Sequence, residues 1–253
     1  MLNADGVGLV YQTQQGSITA LGGVDLDVAR GTFVSLIGSS GCGKSSLLKL
    51  FAGLMRPTSG ALAVDGAAVT GPDPRIGIAF QKPTLMPWKT VLQNVLVPAE
   101  AQHRARAPSL RYAEELLEMV GLAGFARNYP RELSGGMQQR VGLARMLVHE
   151  PDVLLFDEPF AALDALTREE LMVELQRLWL ATTRTALFVT HSIAEAAFLS
   201  DRVLVMAPRP GRIASEIAVP FTRPRSLALM ESVEFASVAG RIRRALDAAA
   251  GAP

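Results

Sequence analysis

The sequence predicts an α/β protein in which a mostly parallel sheet carries helices on its faces and a helical lobe is inserted into the chain. Three observations lead to this fold class. Short apolar segments typical of strands alternate with helical patterns near both ends of the chain. Between them, apolar residues recur at helical spacing from Val91 to His149. A chain of 253 residues is long enough for one large domain with such a lobe.

The first part of the chain contains short apolar runs that end in turn residues. We predict strands at Val7–Tyr11, Val24–Val28, Phe33–Ile37, Ala61–Val64 and Ile76–Phe80. Between the third and fourth runs, the spacing of the leucines after Lys44 predicts a helix that Pro57 and Gly60 end.

The central lobe, residues 91–149, is predicted to be helical because Ala113, Leu116, Leu117 and Val120 share one helix face. A second helix is expected at Gly135–Val148. After this lobe, strands again alternate with helices. We predict strands at Val153–Phe156, Ala186–Thr190 and Val203–Met206 and helices at Arg168–Trp179 and Ile193–Leu199. We therefore predict a single domain over 1–253, with its core in 1–90 and 150–220. Residues 221–253 form a tail with a helix near Val238–Ala248.

Composition excludes several classes of protein. The 25 basic and 24 acidic residues give a net charge of +1, so nothing indicates a basic surface for nucleic acid. No uncharged apolar run is long enough to cross a bilayer, and Met1–Gly6 lacks the features of a signal peptide. The single cysteine, Cys42, rules out an intramolecular disulfide and suits a reducing compartment. We expect a cytoplasmic α/β enzyme.

A glycine-rich loop between the strand Phe33–Ile37 and the following helix predicts nucleotide binding. It matches G-x-x-x-x-G-K-[ST] through Gly38, Ser39, Ser40, Gly41, Cys42, Gly43, Lys44 and Ser45, a segment called here the phosphate loop. Glycines let backbone N–H groups approach phosphate oxygens, and the helix N-terminus favours the anion. Lys44 would reach the β and γ phosphates, and the Ser45 hydroxyl would ligate Mg²⁺. The loop alone leaves kinases, GTPases and transport ATPases open.

A second acidic motif ends the strand Val153–Phe156. Asp157 stands where a carboxylate would hold Mg²⁺, directly or through water, and Glu158 where one would polarise the attacking water. A strand that ends in Asp-Glu is common by itself, so its weight comes from its pairing with the phosphate loop.

A third motif decides between these classes. It consists of Leu133, Ser134, Gly135, Gly136, Met137, Gln138, Gln139 and Arg140 and resembles the signature motif of ABC ATPases. Ser134 is a good N-cap, and the two glycines leave backbone N–H groups bare at a helix start. The chain thus carries a second predicted anion site.

The resemblance to ABC ATPases covers nearly the whole chain and implies a P-loop NTPase fold with an N-terminal antiparallel β subdomain. It also implies further site residues. Gln81 matches the glutamine that senses Mg²⁺ and the γ phosphate, and His191 matches the histidine that contacts the γ phosphate. Tyr11 matches the aromatic residue that stacks on adenine, and Ser46 extends the ATP-binding segment. Ala162, Leu163 and Asp164 match the loop that crosses a dimer interface.

The same resemblance implies a homodimer in which Ser134–Gly136 of one subunit covers the ATP of the other. The partners would be a membrane permease and, indirectly, a solute-binding protein, so we expect a peripheral protein on the cytoplasmic face of the membrane. Segments such as Leu85–Trp88 are similar to ATPases of importers for nitrate, sulfonates and taurine. Because Pro83–Trp88 combines two prolines with Leu, Met and Trp, we predict an exposed loop whose apolar side chains line a groove for a short helix of the permease. The alternative is that these side chains fold back under the helical lobe as a local core.

Two other functions remain at this point. A soluble ABC ATPase acting on DNA or ribosomes would normally show paired domains, coiled-coil arms or a basic excess, none of which is visible. A P-loop kinase or GTPase would lack the signature motif and His191. Stimulation of ATP hydrolysis by a permease, rather than by DNA or ribosomes, would favour the transporter.

Overall fold

A computed structural model describes residues 1–14, 16–161 and 163–251 of the chain. The strands are β1 (Leu2–Thr13), β2 (Gly16–Val28), β3 (Phe33–Gly38), β4 (Ser59–Val64), β5 (Ala67–Ala68), β6 (Ile76–Ala79), β7 (Val153–Asp157), β8 (Thr185–Thr190), β9 (Arg202–Ala207) and β10 (Arg212–Ala218). The helices are α1 (Lys44–Phe51), α2 (Val91–Ala101), α3 (Arg106–Met119), α4 (Gly135–Leu147), α5 (Ala165–Thr182), α6 (Ile193–Leu199) and α7 (Val233–Gly251). These elements form two compact units, Met1–Asp73 with Thr183–Pro253, and Pro74–Thr182.

The first unit contains an antiparallel sheet in the order β2-β1-β4-β5. β1 is the shared strand, since Leu2 pairs with Val28 on one side and with Val64 on the other. The pairing of β1 with β2 is interrupted by register shifts between Ala4 and Val10. The N-terminal antiparallel sheet that the resemblance implied is therefore present.

The same unit holds a parallel set of strands in which β3 lies between β8 and β9. Every residue of β3 is buried, as expected of a central parallel strand covered on both faces. β10 pairs antiparallel to β9 at the edge, and α7 packs against β9, β10 and α6. The phosphate loop follows β3 directly, and His191 follows β8, so both lie at the carboxyl ends of neighbouring parallel strands.

The second unit pairs β6 and β7 in parallel and contains α2, α3, α4 and α5. α2 begins at Thr90 with a capping box, in which Thr90 and Gln93 exchange side-chain-to-backbone hydrogen bonds. α4 packs against α2, α3 and β6. The predicted helical segment 91–149 accordingly contains three α-helices.

The predicted fold class is confirmed, with differences in detail. β1 and β2 are longer than the predicted strands. Glycines within them predict strand ends, whereas register shifts in the pairing allow the strands to continue through these positions. β10 was not predicted, because Ile217 is its one buried side chain and the sequence shows little alternation of apolar and polar residues there. Among the described helices, none has both the length and the apolar character needed to cross a bilayer.

Candidate functional site

The phosphate loop turns from β3 into α1 through glycines in the left-handed region. Gly41 has φ of +76° and Gly43 has φ of +98°, conformations that residues with a Cβ rarely adopt. A Cβ on Gly43 would also come within 2.5 Å of Leu21 Cδ2. Ser39, Ser40 and Gly41 are exposed, so the outer side of the loop is open to an approaching anion.

Lys44 is buried at the start of α1, and its ammonium group is held by the loop itself. Its Nζ donates to the carbonyl oxygens of Gly38, at 2.8 Å, and of Ser39, at 3.0 Å. The positive charge therefore lies at the first turn of a helix that begins with glycine-rich backbone, as phosphate binding requires.

The turn between β9 and β10 is hydrogen-bonded to β2 and lies close to the phosphate loop. Gly211 N–H donates to Ala20 O at 2.9 Å, and Gly22 N–H donates to Gly211 O at 3.0 Å. A Cβ on Gly211 would lie 2.1 Å from the carbonyl oxygen of Cys42. The sequence analysis did not identify Gly211 as part of the site, because its contact with Cys42 joins distant parts of the chain.

His191 and the phosphate loop line one cleft of about 370 Å³. His191 is exposed, and the loop contributes Gly38, Ser39 and Ser40. The rest of the lining includes Pro208 after β9 and the end of α7, where Asp247 adds a carboxylate that the sequence analysis missed. The structure thus brings together two of the predicted motifs.

Tyr11 also reaches the phosphate-loop region. Its hydroxyl shares a hydrogen bond of 3.0 Å with the hydroxyl of Ser46 in α1, while its ring remains exposed. An exposed aromatic ring fixed at its polar end is suited to stack on a base. The predicted stacking on adenine remains a prediction.

The acidic motif belongs to the second unit. Asp157 is buried at the end of β7, and Glu158 follows it with φ of +48°, a strained conformation for a residue with a Cβ. Strain of this kind is concentrated at functional sites. β6 and β7 pair Ala79 with Phe156, so Gln81 and Glu158 each stand two residues beyond a paired position at the same edge.

The signature motif forms the start of α4 as predicted. Ser134 is the N-cap, and its hydroxyl accepts a hydrogen bond of 3.3 Å from Met137 N–H. A Cβ on Gly135 would meet no atom within 4 Å, so packing within the chain does not explain that glycine. Gln138, in contrast, donates to Pro130 O and Leu133 O, which turns its side chain towards the preceding turn.

Of the predicted dimer-interface loop, Leu163 and Asp164 are described, and Ala162 lies outside the described residues. Asp164 accepts a hydrogen bond of 3.0 Å from Thr167 N–H at the first turn of α5. The backbone and side-chain hydrogen bonds from Thr167 hold the pKa of Asp164 below its usual value. Leu163 O accepts from Arg168 at 2.7 Å.

The segment Pro83–Trp88 lies outside helices and strands, and two side chains fix its backbone. The buried amide of Asn94, in α2, accepts from Met86 N–H at 2.7 Å and donates to Met86 O at 3.1 Å. Arg145, in α4, donates to the carbonyl oxygens of Pro83 and Thr84, and burial lowers the pKa of its guanidinium. Trp88 is 72% exposed on this fixed backbone.

The residues predicted to hold Mg²⁺ have suitable chemistry. Ser45, Gln81 and Asp157 offer hydroxyl, amide and carboxylate oxygens, the hard ligands that Mg²⁺ prefers. Within residues 1–14, 16–161 and 163–251, no group of three or more His, Cys, Asp or Glu side chains gathers to hold a metal.

The chain is similar to known ABC transporter proteins. The family model described as ABC transporter matches residues 21–161. A taurine import ATP-binding protein, TauB, of Burkholderia pseudomallei is 46% identical over 222 residues, which are 88% of this chain and 85% of that protein. An uncharacterized ABC transporter ATP-binding protein of Methanocaldococcus jannaschii is 43% identical over 234 residues, 92% of this chain and 88% of its own.

Solved structures of the ABC transporter cassette MJ0796 are similar as well. One is dimeric, and another, also dimeric, represents a post-hydrolysis state bound to ADP and Pi. Each has a TM-score of 0.78 and 33% identity, and covers 88% of this chain and 100% of the solved chain. The phosphate loop, the capped signature helix and these relatives together show that the chain belongs to the ABC transporter family and is an ATPase of that family.

Proposed function

We propose that this ATPase is the nucleotide-binding subunit of an importer, which couples ATP hydrolysis to uptake of a small solute through a separate permease. The observation that carries the proposal is the cleft shared by the phosphate loop and His191, in a chain that also presents an open glycine at the N-terminus of α4. The relatives named as taurine import ATP-binding proteins favour taurine or a related sulfonate or nitrate-type solute.

The residues act on ATP through position and charge. Backbone N–H groups of the phosphate loop and the Lys44 ammonium bind the phosphates, and Tyr11 stacks on the base. Ser45, Gln81 and Asp157 would hold Mg²⁺, which would neutralise charge on the phosphates. Glu158 accepts a proton from the attacking water, and His191 contacts the γ phosphate and orients that water.

A second copy of the chain completes the site. Ser134, Gly135 and Gly136 of one copy present a helix N-terminus to the γ phosphate bound by the other. The clearance around Gly135 supports this arrangement, because a phosphate needs the space that a Cβ would occupy. ATP then holds the two copies together, and hydrolysis releases them.

The permease binds at the Pro83–Trp88 segment, on the cytoplasmic face of the membrane. An exposed tryptophan on a backbone fixed by Asn94 and Arg145 has the properties of an interface anchor, since it loses little conformational freedom on binding. The solute-binding protein acts on the permease and has no direct contact with this chain.

The variant Glu158→Gln tests the proposal. It keeps the size and hydrogen bonding of the side chain but removes the base, so ATP is expected to bind without being cleaved. Gel filtration with ATP should then show a stable dimer. Asp152→Asn, an exposed carboxylate at the other end of β7, is the matched control and should hydrolyse ATP normally. A Glu158→Gln protein that hydrolyses ATP as a monomer would contradict the proposed role.

The transport function needs a second measurement. The ATPase rate is compared in the presence of the permease of a taurine, sulfonate or nitrate importer, of double-stranded DNA and of ribosomes. Stimulation by the permease alone supports an importer subunit, and stimulation by DNA or ribosomes refutes it.

A further inference from the structure

Three residues around His191 form a closed set of hydrogen bonds. Ser192 N–H donates to Thr190 Oγ1 at 3.0 Å, and Thr190 Oγ1 donates to Glu195 Oε2 at 2.5 Å. Glu195 N–H in turn donates to Ser192 Oγ at 3.3 Å, which makes Ser192 the N-cap of α6. The first of these bonds joins the residues immediately before and after His191.

The bond between Thr190 and Glu195 lies in the interior, although His191 does not. Thr190 is 1% exposed and Glu195 is 4% exposed, whereas the His191 side chain lies at the surface of the cleft. Burial of a carboxyl group costs free energy unless the group is hydrogen-bonded. The Glu195 carboxylate accepts such a hydrogen bond from the Thr190 hydroxyl. The backbone N–H of Glu195 donates to Ser192 Oγ, which connects α6 to the residue after His191.

The effect of this arrangement is to fix the backbone from which His191 projects. β8 fixes Thr190 on one side, and the N-cap of α6 fixes Ser192 on the other. The hydrogen bond from Ser192 N–H to Thr190 Oγ1 further restricts the backbone torsions of His191. A group that contacts a reacting phosphate must be held within about 0.5 Å of its working position, so such fixation bears on catalysis.

We propose that Thr190 and Glu195 are positioning residues for ATP hydrolysis, which hold His191 towards the γ phosphate through the Ser192–Thr190–Glu195 hydrogen bonds. The inference rests on the proposed role of His191. Both side chains are buried and do not line the cleft, so we expect loss of their bonds to lower the rate of cleavage and to leave the affinity for ATP unchanged.

Two pairs of variants separate the hydrogen bonds from packing. Thr190→Val removes the hydroxyl at nearly constant volume, and Thr190→Ser keeps it. Glu195→Ala removes the acceptor, and Glu195→Gln keeps one. In the full-length protein we expect Thr190→Val and Glu195→Ala to lower kcat at least about tenfold, with an unchanged Kd for a fluorescent ATP analogue, since small misplacements of catalytic groups are costly. Thr190→Ser and Glu195→Gln should restore most of kcat.

The double variant Thr190→Val with His191→Ala tests whether the effect passes through His191. Residues that act as a unit are not additive, so adding Thr190→Val to His191→Ala should cause no further loss of kcat. If the two losses multiply, or if Thr190→Ser and Glu195→Gln are as slow as Thr190→Val and Glu195→Ala, the positioning role is refuted.

The same series separates the inference from the proposed function. If His191→Ala alone hydrolyses ATP at the wild-type rate, the role of His191 is wrong and the inference falls with it. If His191→Ala is slow while both Thr190→Val and Glu195→Ala are fast, only the positioning role is overturned. Should one of the two substitutions prevent folding, the other, at the opposite end of the same hydrogen bond, still decides the outcome.

Discussion

Truncation of the exposed tryptophan, Trp88→Ala, distinguishes a docking residue from a core residue. Because Trp88 is 72% exposed, little more than a quarter of its surface is buried in the isolated subunit. With about 25 cal/mol per Å² and a side-chain surface of roughly 250 Å², that burial contributes at most about 1.7 kcal/mol to stability. The hydrogen bonds from Asn94 and Arg145 go to the backbone of this segment and survive the substitution.

The other tryptophan of the chain provides a matched comparison. Trp179, in α5, is 5% exposed, and its truncation to alanine should cost about 3–5 kcal/mol. In a protein of this size, 1 kcal/mol corresponds to a shift in Tm of about 2–4 °C. Thermal unfolding of the isolated subunit should therefore show a small shift for Trp88→Ala and a much larger one for Trp179→Ala.

Binding to the permease should show the opposite order of effects. Loss of an aromatic anchor costs about 2 kcal/mol or more, so we expect at least about 30-fold weaker docking for Trp88→Ala, measured by titration with the permease in detergent or nanodiscs. ATP binding by the isolated subunit should be unchanged, and Trp88→Phe should keep much of the affinity. Wild-type docking by Trp88→Ala, or a fall in Tm as large as that of Trp179→Ala, would refute the reasoning.

Three further predictions concern the phosphate loop. Lys44→Ala should reduce ATP turnover below about a tenth of the wild-type rate, because it removes the main positive charge on the β and γ phosphates; a higher residual rate would contradict the assignment of the loop. Cys42 is buried with its Sγ 3.7 Å from Lys44 Nζ, so a bulky thiol reagent should inactivate the protein slowly, and more slowly with Mg-ATP. Equal labelling with and without nucleotide would show that Cys42 is inert. Gly211→Ala should weaken ATP binding by about tenfold or more, because its Cβ would clash with Cys42 O. The control Gly71→Ala, where a Cβ meets nothing within 4 Å, should bind ATP normally. Equal affinities of the two variants would show that the contact between Gly211 and the phosphate loop is not needed for ATP binding.

The parts of the site that could be predicted are those encoded over short stretches of sequence. The phosphate loop needs a strand, particular glycines and a helix in succession, and the signature motif needs an N-cap and bare N–H groups at a helix start. His191 was identified because the resemblance extends to it, since a histidine at a strand end carries no such pattern by itself.

What could not be predicted depends on contacts between distant segments. Nothing around Gly211 indicates that its missing Cβ makes room for Cys42 O, and nothing around Arg145 indicates that its guanidinium donates to the carbonyl oxygens of Pro83 and Thr84. Likewise, a helix was expected near Val238–Ala248, but the position of Asp247 in the cleft beside the phosphate loop follows only from tertiary packing. β10 was missed because an edge strand with one buried side chain gives little periodicity.

The hydrogen bonds of Arg145 connect the C-terminal part of α4 to the backbone of the Pro83–Trp88 segment. Ser134, of the signature motif, is the N-cap of this helix. Arg145 lies eleven residues later, about 16 Å along the helix axis, and donates hydrogen bonds to the carbonyl oxygens of Pro83 and Thr84. An α-helix transmits a push along its axis with little compression, because each turn is hydrogen-bonded to the next. In the proposed dimer, we expect a displacement of Ser134 by nucleotide on the second copy to reach the carbonyl groups of Pro83 and Thr84 through α4.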